Sequence, residues 1–252
     1  MGILTGKVAI VTGAGKGIGE GEAVALAKEG AAVTVVARTL DDVMRTAQQI
    51  EALGARALPL QCDVRDREQV KRTVAATVAA FGTVDILVNN AQISHPPHSC
   101  EDWTEQEMRD SWESGLLGSW FFMVECFPHL KQRGGRIINT CSAAGHGRVL
   151  GEVGYAATKE GIRSITRTAA REWGKYNINV NVISPVALTP AAFECYPTEE
   201  SRRAVCEAMG MAMPRLGDSE RDIGRTIVFL AGPDSGMITG CTLGVDGGSA
   251  MI

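Results

Sequence analysis

The sequence predicts one α/β domain, in which a doubly wound sheet of about seven parallel strands has helices on both faces. Short, β-branched segments alternate with helical patterns along nearly the whole chain of 252 residues. Several of these segments are apolar on both faces, as strands buried between two helical layers must be. A glycine-rich turn also joins the first strand to the first helix. Alternation of this kind implies right-handed crossovers and therefore a parallel sheet.

Strand and helix patterns account for most of the chain. The strands are placed at residues 7–12, 32–37, 57–62, 85–90, 136–141, 179–184 and 242–246. The helices are placed at residues 18–29, 40–53, 67–81, 104–132, 154–174 and 219–231. No linker or repeat divides this pattern, so residues 1–252 are expected to form a single domain. The stretch 186–216 contains three prolines, and we expect it to be irregular and to form a substrate loop.

Composition and charge exclude several classes of protein. Apolar residues make up 45% of the chain and the formal net charge is -4, which indicates a globular protein without a nucleic-acid partner. The seven cysteines lack the paired spacing of a zinc site, so reduced thiols are expected. His95 and His98 flank two prolines and make a poor metal site alone, so no metal is expected. Without a secretory leader or a membrane-length apolar run, we expect a cytoplasmic protein that makes no membrane contact.

The segment "TGAGKGIGE", residues 12–20, lies between the first strand and the first helix. Glycines at such a turn let the backbone approach a pyrophosphate, whose charge is met by free N–H groups and the helix dipole. An ATP-binding loop is excluded because Lys16 is followed by Gly17 instead of Ser or Thr. A tight structural turn is the alternative, but the position of the segment favours dinucleotide binding.

The residue that ends the second strand favours NADP(H) over NAD(H). An NAD site has Asp or Glu about 20 residues beyond the glycines, where it binds the ribose 2′-hydroxyl. This chain has Arg38 there, and Lys16 lies within reach of the same adenosine end. Two cations without the carboxylate suit a 2′-phosphate. The alternative is NAD(H), with Asp41 or Asp42 binding the ribose and the two cations solvated.

Three residues form a candidate catalytic set. Tyr155 and Lys159 are four apart, on one face of a predicted helix, and Ser142 follows the carboxyl end of a strand. Hydride transfer to a carbonyl needs an acid that protonates the forming alkoxide. A free tyrosine titrates near pH 10, so a nearby ammonium group is needed to make its phenolate accessible. The serine hydroxyl would hold the carbonyl oxygen.

In this order the motifs resemble those of the short-chain dehydrogenase/reductase family, in its compact single-domain branch with a Rossmann-like fold. The resemblance covers nearly the whole chain. The matching segments are "TGAGKGIG" (12–19), "CDV" (62–64), "NNA" (89–91), Ser142, "YAATK" (155–159), "NVISP" (181–185) and "VDGG" (245–248).

This resemblance implies a role for each matching residue. Tyr155 would be the acid/base, Lys159 would lower its pKa and contact the cofactor ribose, and Ser142 would polarise the carbonyl. The resemblance also implies a homodimer or a homotetramer. The implied cofactor residues are Gly13, Gly17, Ile18 and Gly19 at the diphosphate, Asp63 and Val64 at the adenine, Asn90 and Ala91 at the adenosine side, and Pro185, Leu188 and Thr189 at the nicotinamide.

The sequence departs from the family pattern at three positions. Gln92 replaces the last glycine of "NNAG", and Val186 replaces the glycine that follows Pro185. Gly115 stands where the family has an asparagine that holds a water for proton transfer. We therefore expect an altered proton relay with intact hydride chemistry.

The expected function is interconversion of a ketone or aldehyde and an alcohol with NADP(H). Gln92, Gly115 and His146 are the candidate residues on the substrate side. Two alternatives stay open. One is an NAD(H)-dependent alcohol dehydrogenase of the same family, and the other is a cofactor-binding sensor or scaffold without turnover.

Overall fold

A seven-stranded parallel sheet forms the centre of the protein. The computed structural model describes residues 2–146 and 150–250, except for the side chains of His146 and Ala191. The strands are β1 (Val8–Thr12), β2 (Ala32–Ala37), β3 (Ala57–Gln61), β4 (Ile86–Asn89), β5 (Gly135–Thr140), β6 (Ile178–Pro185) and β7 (Thr242–Val245). Their order is β3-β2-β1-β4-β5-β6-β7, and all pairs are parallel. The predicted fold class is confirmed.

Helices connect successive strands. They are α1 (Gly17–Lys28), α2 (Leu40–Ala52), α3 (Arg67–Phe81), α4 (Glu105–Trp112), α5 (Gly118–Arg133), α6 (Val153–Trp173), α7 (Pro190–Cys195), α8 (Glu199–Ala208) and α9 (Arg225–Ala231). Two π-helical turns, Glu113–Leu117 and Ser219–Gly224, lie directly before α5 and α9. Within the described ranges, none of the helices combines the length and hydropathy needed to span a bilayer.

The two faces of the sheet carry separate cores. Leu26 of α1, Ile50 of α2 and Ile227 of α9 pack in one core with the sheet residue Ile138. The other face is covered by α3, α5 and α6, and Phe122 of α5 lies in its core. β1 is buried throughout, which explains why it is apolar at every position before Thr12.

Chain connections reverse direction between β1 and β4. β1 leads to its neighbour β2 on one side, whereas β4 pairs with β1 on the other side. The carboxyl ends of two such strands leave a crevice between their following loops, and ligands of doubly wound sheets bind there. The glycine-rich turn after β1 and the "NNA" segment after β4 therefore lie at one crevice.

Two sequence predictions about helices were wrong in detail. The predicted helix 104–132 is divided into α4, the π turn and α5. The stretch 186–216 is not irregular, because it contains α7 and α8. Pro190 begins α7 at a position where proline is tolerated, with Thr189 as its N-cap, and Thr198 caps α8 in a capping box.

Candidate active site

The glycine-rich turn is shaped by close packing against the loop after β4. Gly13 and Gly17 have φ angles of 66° and 64°, which favour glycine. A Cβ on Gly13 would lie 2.8 Å from Asn90 Nδ2 and 2.9 Å from the Cα of Ala91. A Cβ on Gly19 would overlap the carbonyl oxygen of Gly13. Only glycine fits at these points, so the backbone at the start of α1 stays open toward the crevice.

Thr12 joins the two loops, and the sequence prediction did not include it. Its Oγ1 accepts hydrogen bonds from the backbone N–H groups of Asn90, at 3.0 Å, and Ala91, at 3.1 Å. Asn90 Nδ2 in turn donates to the carbonyl oxygen of Thr12 at 3.2 Å. A threonine at the end of a strand gives no distinctive pattern in sequence, because its partner is brought near only by the sheet.

The crevice contains a cavity of about 280 Å³. It extends from the glycine-rich turn past the ends of β2 and β3 to the start of the loop after β4. Its lining consists of Gly13, Gly15, Lys16, Ala37, Arg38, Thr39, Asp42, Cys62, Asp63, Val64, Asn90, Ala91, Gln92, Ile93 and Ser114. Seven of the predicted cofactor residues are therefore brought together here.

Cations dominate one end of this cavity. Lys16 and Arg38 are exposed, and neither side chain pairs with a carboxylate in the described part of the chain. The nearby carboxylate of Asp42 is bound by Arg45, with 2.9 Å between Arg45 Nη1 and Asp42 Oδ1. Arg45 also donates to the carbonyl oxygen of Gly15 at 2.5 Å. The two predicted cations are thus available to a ligand, whereas Asp42 already has a partner.

Asp63, which also lines the cavity, is held by Arg65. Arg65 donates to Asp63 through Nε and Nη2, at 3.1 and 2.7 Å, and it also binds Asp110 at 2.9 Å. These hydrogen bonds lower the pKa of Asp63 below its usual range. Val64 packs against the start of α5, because a Cβ on Gly118 would lie 2.9 Å from Val64 Cγ2. Gly118 is therefore needed for close packing, and Arg65 is a site residue that the sequence analysis missed.

Ser142, Tyr155 and Lys159 meet beyond the carboxyl end of β5. The Ser142 side chain lies close enough to the Tyr155 hydroxyl to lower its pKa. Lys159 is buried, its Nζ lies 5.2 Å from the centre of the Tyr155 ring, and it donates to the carbonyl oxygen of Thr140 at 3.0 Å. The three residues that the sequence grouped are therefore adjacent in space.

Burial controls the pKa values of this group. It raises the pKa of Tyr155 to about 12, and the neighbouring Ser142 side chain acts in the opposite direction. Burial lowers the pKa of Lys159 to about 8, because the ammonium form loses hydration. In the structure, the lowering effect on the Tyr155 pKa comes from Ser142, whereas the sequence analysis expected it from Lys159. A lysine with a pKa near 8 takes up and releases protons readily at neutral pH.

Glu22 of α1 is an unexpected charged group near this site. It is completely buried, and neither carboxylate oxygen has a hydrogen-bond partner among the described residues. Burial raises its pKa to about 8, and its charge interacts with that of Lys159. The sequence indicates this group, because Glu22 is the one acidic residue in the otherwise apolar run "EAVALA", residues 22–27.

The start of α7 lies close to the glycine-rich turn. A Cβ on Gly17 would be 3.7 Å from Thr189 Cγ2, and Thr189 Oγ1 accepts a hydrogen bond from the backbone of Ala192. Pro185 ends β6, and the backbone N–H of Leu188 donates to the carbonyl oxygen of Gly217 at 2.8 Å. The predicted nicotinamide residues are thus positioned by the end of β6 and by the N-cap of α7.

The structure describes the surroundings of two of the three substrate-side candidates, Gln92 and Gly115. Gln92 lines the cavity and lies against Gly115, because a Cβ on Gly115 would overlap Gln92 Oε1. The side chain of His146 lies outside the part of the structure that is described.

His98 stacks on Trp103 with ring centres 5.0 Å apart. Within residues 2–146 and 150–250, no group of three or more His, Cys, Asp or Glu side chains is arranged to hold a metal ion.

Comparisons with known proteins agree with this geometry. The family described as short chain dehydrogenase matches residues 7–199. A 12alpha-hydroxysteroid dehydrogenase from a Clostridium species is 42% identical over 255 residues, which cover 98% of each chain. The short-chain reductase protein NovJ of Streptomyces niveus is 39% identical over 247 residues, which cover 96% of this chain and 93% of NovJ.

A solved structure gives the same result for the whole fold. The crystal structure of carveol dehydrogenase from Mycobacterium avium in complex with NAD is similar with a TM-score of 0.91 and 29% identity, and the match covers 99% of both chains. Fold and crevice together define a dinucleotide-binding α/β enzyme. The chain belongs to the short-chain dehydrogenase family and is an NAD(P)-dependent oxidoreductase.

Proposed function

We propose that this enzyme uses NADP(H) to interconvert a ketone or aldehyde and an alcohol, with Tyr155 as acid/base. The observation that carries the proposal is the grouping of Ser142 and the buried Lys159 around Tyr155, with Lys159 Nζ 5.2 Å from the centre of the Tyr155 ring. A tyrosine hydroxyl and a serine hydroxyl that lie side by side are both able to bind one carbonyl oxygen. This arrangement suits proton transfer to an alkoxide that forms between them.

The residues of the crevice fit a dinucleotide. The glycine-rich turn gives backbone N–H groups at the start of α1, and Gly13 and Gly19 keep that surface free of side chains. When bound, the nicotinamide gives or accepts the hydride. Lys16 and Arg38 would hold a 2′-phosphate, and their lack of carboxylate partners in the described ranges supports NADP(H). An NAD(H) enzyme would need Asp41 or Asp42 for the ribose. Asp42 is bound by Arg45, and Asp41 does not line the cavity.

Each of the three catalytic side chains has a separate task in the proposed mechanism. Tyr155 gives its hydroxyl proton to the alkoxide in reduction and removes the alcohol proton in oxidation. Ser142 donates a hydrogen bond to the same oxygen. Lys159 returns a proton to Tyr155, and its cationic form stabilises the phenolate. Because burial raises the pKa of Tyr155 to about 12 even with Ser142 beside it, the cationic form of Lys159 is required to make the phenolate accessible at neutral pH.

We also propose that the enzyme is a homodimer or homotetramer. Trp112 and Trp120, which flank the π turn on α4 and α5, are 45% and 40% exposed. Two large aromatic side chains on one helical segment supply the apolar surface that subunit contacts use. Light scattering coupled to gel filtration measures the mass of the assembly directly.

The proposed activity is tested by incubating purified protein with NADPH or NADH and a panel of ketones and aldehydes. The panel includes a 12-oxosteroid, because a relative is named as a hydroxysteroid dehydrogenase. We expect oxidation of NADPH by at least one carbonyl compound. In Tyr155→Phe the rate should fall by a factor of about 100 or more, while NADPH binding is retained. NADPH binding without turnover on any substrate would instead identify a cofactor sensor or scaffold.

A further inference from the structure

The loop after β4 is fastened to the segment that precedes α6. The carbonyl oxygen of Gly151 accepts two hydrogen bonds from this loop, one from the backbone N–H of His98 at 3.0 Å and one from Trp103 Nε1 at 2.9 Å. Gly151 has a φ of 82°, and a Cβ there would lie 3.0 Å from the Cβ of Pro97. Glycine is therefore favoured at position 151, where the loop and the segment approach each other closely.

Trp103 also packs on the first turn of α6. Gly154 is buried, and a Cβ on it would lie 2.6 Å from Trp103 Cζ3. Tyr155 is the next residue of that turn. Trp103 thus contacts the chain at two points, Gly151 and Gly154, that both lie shortly before Tyr155. A movement of the indole ring would therefore shift the backbone that carries the tyrosine.

The imidazole ring of His98 stacks on the indole ring of Trp103, with the two planes at 27°. Its Nδ1 lies 2.9 Å from the carbonyl oxygen of Pro96, and its Nε2 lies 3.4 Å from Glu107 Oε2. Both partners are acceptors. A neutral imidazole has one N–H group and can serve only one of them, whereas the imidazolium ion has two and can serve both. The face of an indole ring also attracts a cation, so the arrangement suits a positively charged His98.

Glu107 provides a negative charge for His98. Its Oε2 accepts hydrogen bonds from the backbone N–H and the hydroxyl of Thr104, at 2.8 and 2.7 Å, in the capping box that begins α4. These hydrogen bonds lower the pKa of Glu107, so it stays ionised where histidine titrates. Among the described residues no arginine or lysine pairs with this carboxylate, and His98 is its cationic partner.

Other charged groups belong to the elements that meet at His98. His95 lies in the same loop, and its Nε2 is 3.7 Å from Asp110 Oδ2 on α4. Asp110 is also bound by Arg65, at 2.9 Å. Glu152, at the start of α6, is half-buried, and burial raises its pKa. Of the carboxylates in the described ranges, only Glu107 lies within ion-pair distance of His98.

We propose that His98 and Trp103 are positioning residues, which hold the backbone before Tyr155 most firmly when His98 is positively charged. This inference rests on the proposed function, in which Tyr155 is the acid/base. Histidine changes its charge between about pH 5 and 8. As the pH rises through this range, His98 loses one N–H group and its ion pair with Glu107, and the contacts of Trp103 with the start of α6 weaken. The work of Tyr155 is thereby linked to the charge of a residue outside the catalytic set.

The first test compares two histidines of one loop. In His98→Gln, kcat should be about threefold or more below that of the wild type at about pH 5.5, because a displaced acid/base works poorly. The ratio of the two kcat values should rise toward one at about pH 8.5, where the wild-type imidazole is itself neutral. Titration of the catalytic residues cancels in this ratio. His95→Gln is the matched control, because the partner of His95 is Asp110, and its ratio should not change with pH.

The second test changes the partner of His98. Glutamine at position 107 keeps the capping box with Thr104, because that position of the box accepts Glu or Gln. Its amide can donate a hydrogen bond to a neutral imidazole, which a carboxylate cannot do. In Glu107→Gln the ratio of kcat to that of the wild type should therefore rise with pH and exceed one at about pH 8.5.

A fluorescence titration gives a readout that does not depend on turnover. An imidazolium ion that stacks on an indole ring quenches its fluorescence. Subtracting the signal of Trp103→Phe isolates Trp103 from the other three tryptophans. This difference signal should increase as the pH rises from about 5 to 8, and the increase should be lost in His98→Gln but kept in His95→Gln.

These outcomes separate the inference from the proposed function. A kcat ratio in His98→Gln that is the same at every pH overturns the inference, because a purely structural role predicts a constant loss. The same trend of the kcat ratio in His95→Gln overturns it as well, and so does a Trp103 signal that does not follow the pH. If His98→Gln fails to fold, the Glu107→Gln ratio decides in its place.

If the wild type lacks turnover, or if Tyr155→Phe is fully active, the proposed function is wrong, and the role assigned to His98 and Trp103 fails with it. Wild-type turnover that Tyr155→Phe abolishes, together with a constant ratio in His98→Gln, contradicts this inference only.

Discussion

At the scale of single residues, the proposed preference for NADP(H) rests on the charges at the Lys16–Arg38 end of the crevice. Arg38 follows β2, Lys16 lies in the glycine-rich turn, and both are exposed. The two carboxylates that line the described cavity each have an arginine partner, which is Arg45 for Asp42 and Arg65 for Asp63. The end of the cavity therefore carries an excess of positive charge, which favours a phosphate over a hydroxyl group.

Arg38→Asp should reverse the preference between the two nicotinamide cofactors. The substitution removes a phosphate-binding cation and adds an acceptor for a ribose hydroxyl. A hydrogen bond to a charged group contributes about 1.5–3 kcal/mol, so the affinity for NADPH should fall by about tenfold or more. The dissociation constants for NADPH and NADH, measured by fluorescence titration, check this. Lys71→Asp on α3 makes the same change of charge away from the cavity and should change neither constant. A wild type that already prefers NADH contradicts the assignment.

The candidate catalytic and cofactor residues could be singled out from sequence where local spacing defines them. Tyr155 and Lys159 share one helix face, and the glycine-rich turn follows one strand. Thr12 and Arg65 could not be found in this way, because the contacts of Thr12 with Asn90 and of Arg65 with Asp110 join residues at least 45 positions apart. Glu22 is visible in sequence as an acidic residue in an apolar run, but its burial and its interaction with Lys159 arise only when the layers pack.

At the scale of elements, the strands were predicted to within about two residues because burial on both faces leaves an apolar signature. The helix 104–132 was not predicted to contain a π turn, since Gly115 in that turn packs against Gln92 and Thr158, which are distant in sequence. Similarly, the predicted helix 219–231 begins with a π turn that packs on α1. Periodicity indicates that a helix exists, but tertiary contacts determine where its hydrogen bonding changes.

Gly21 is where α1 and the second π turn make backbone contact. A Cβ on Gly21 would overlap the carbonyl carbon of Ser219 and lie 2.7 Å from the backbone nitrogen of Glu220. Gly224 makes the reciprocal approach, because its Cβ would lie 2.8 Å from the carbonyl oxygen of Gly21. Neither helix can give way without moving the backbone of the other.

Gly21→Ala should therefore destabilise the protein despite the higher helix propensity of alanine. Overpacking of a close contact costs about 1–3 kcal/mol, which exceeds the gain of about 1 kcal/mol from propensity. Gly174→Ala is the control, because nothing lies within 4 Å of its Cβ and its φ of -55° suits alanine. That variant should be more stable by about 0.4–1 kcal/mol. Urea unfolding of both variants checks the two signs, and equal stabilisation would contradict the backbone contact.

At the scale of the whole molecule, the two helical layers each contribute a buried charged group near the active site. α1 covers one face of the sheet and carries Glu22, whereas α6 covers the other and carries Lys159. Their charges interact, but burial dominates both and brings each pKa to about 8. Protonation of this pair is therefore linked to the stability of the complete fold.

Glu22→Gln should change how the stability of the protein depends on pH. A glutamate in water has a pKa of 4.5, whereas burial brings the pKa of Glu22 to about 8, so the folded state binds more protons between these values. The free energy of unfolding contributed by Glu22 is therefore fully present below pH 4.5 and is lost as the pH rises through about 8. Glutamine has nearly the same shape and does not titrate. The two proteins should have similar melting temperatures near about pH 5, and the variant should be more stable by about 1–3 kcal/mol at about pH 8. Melting curves at half-unit steps of pH measure the difference, and a constant difference across this range would show that Glu22 stays charged throughout.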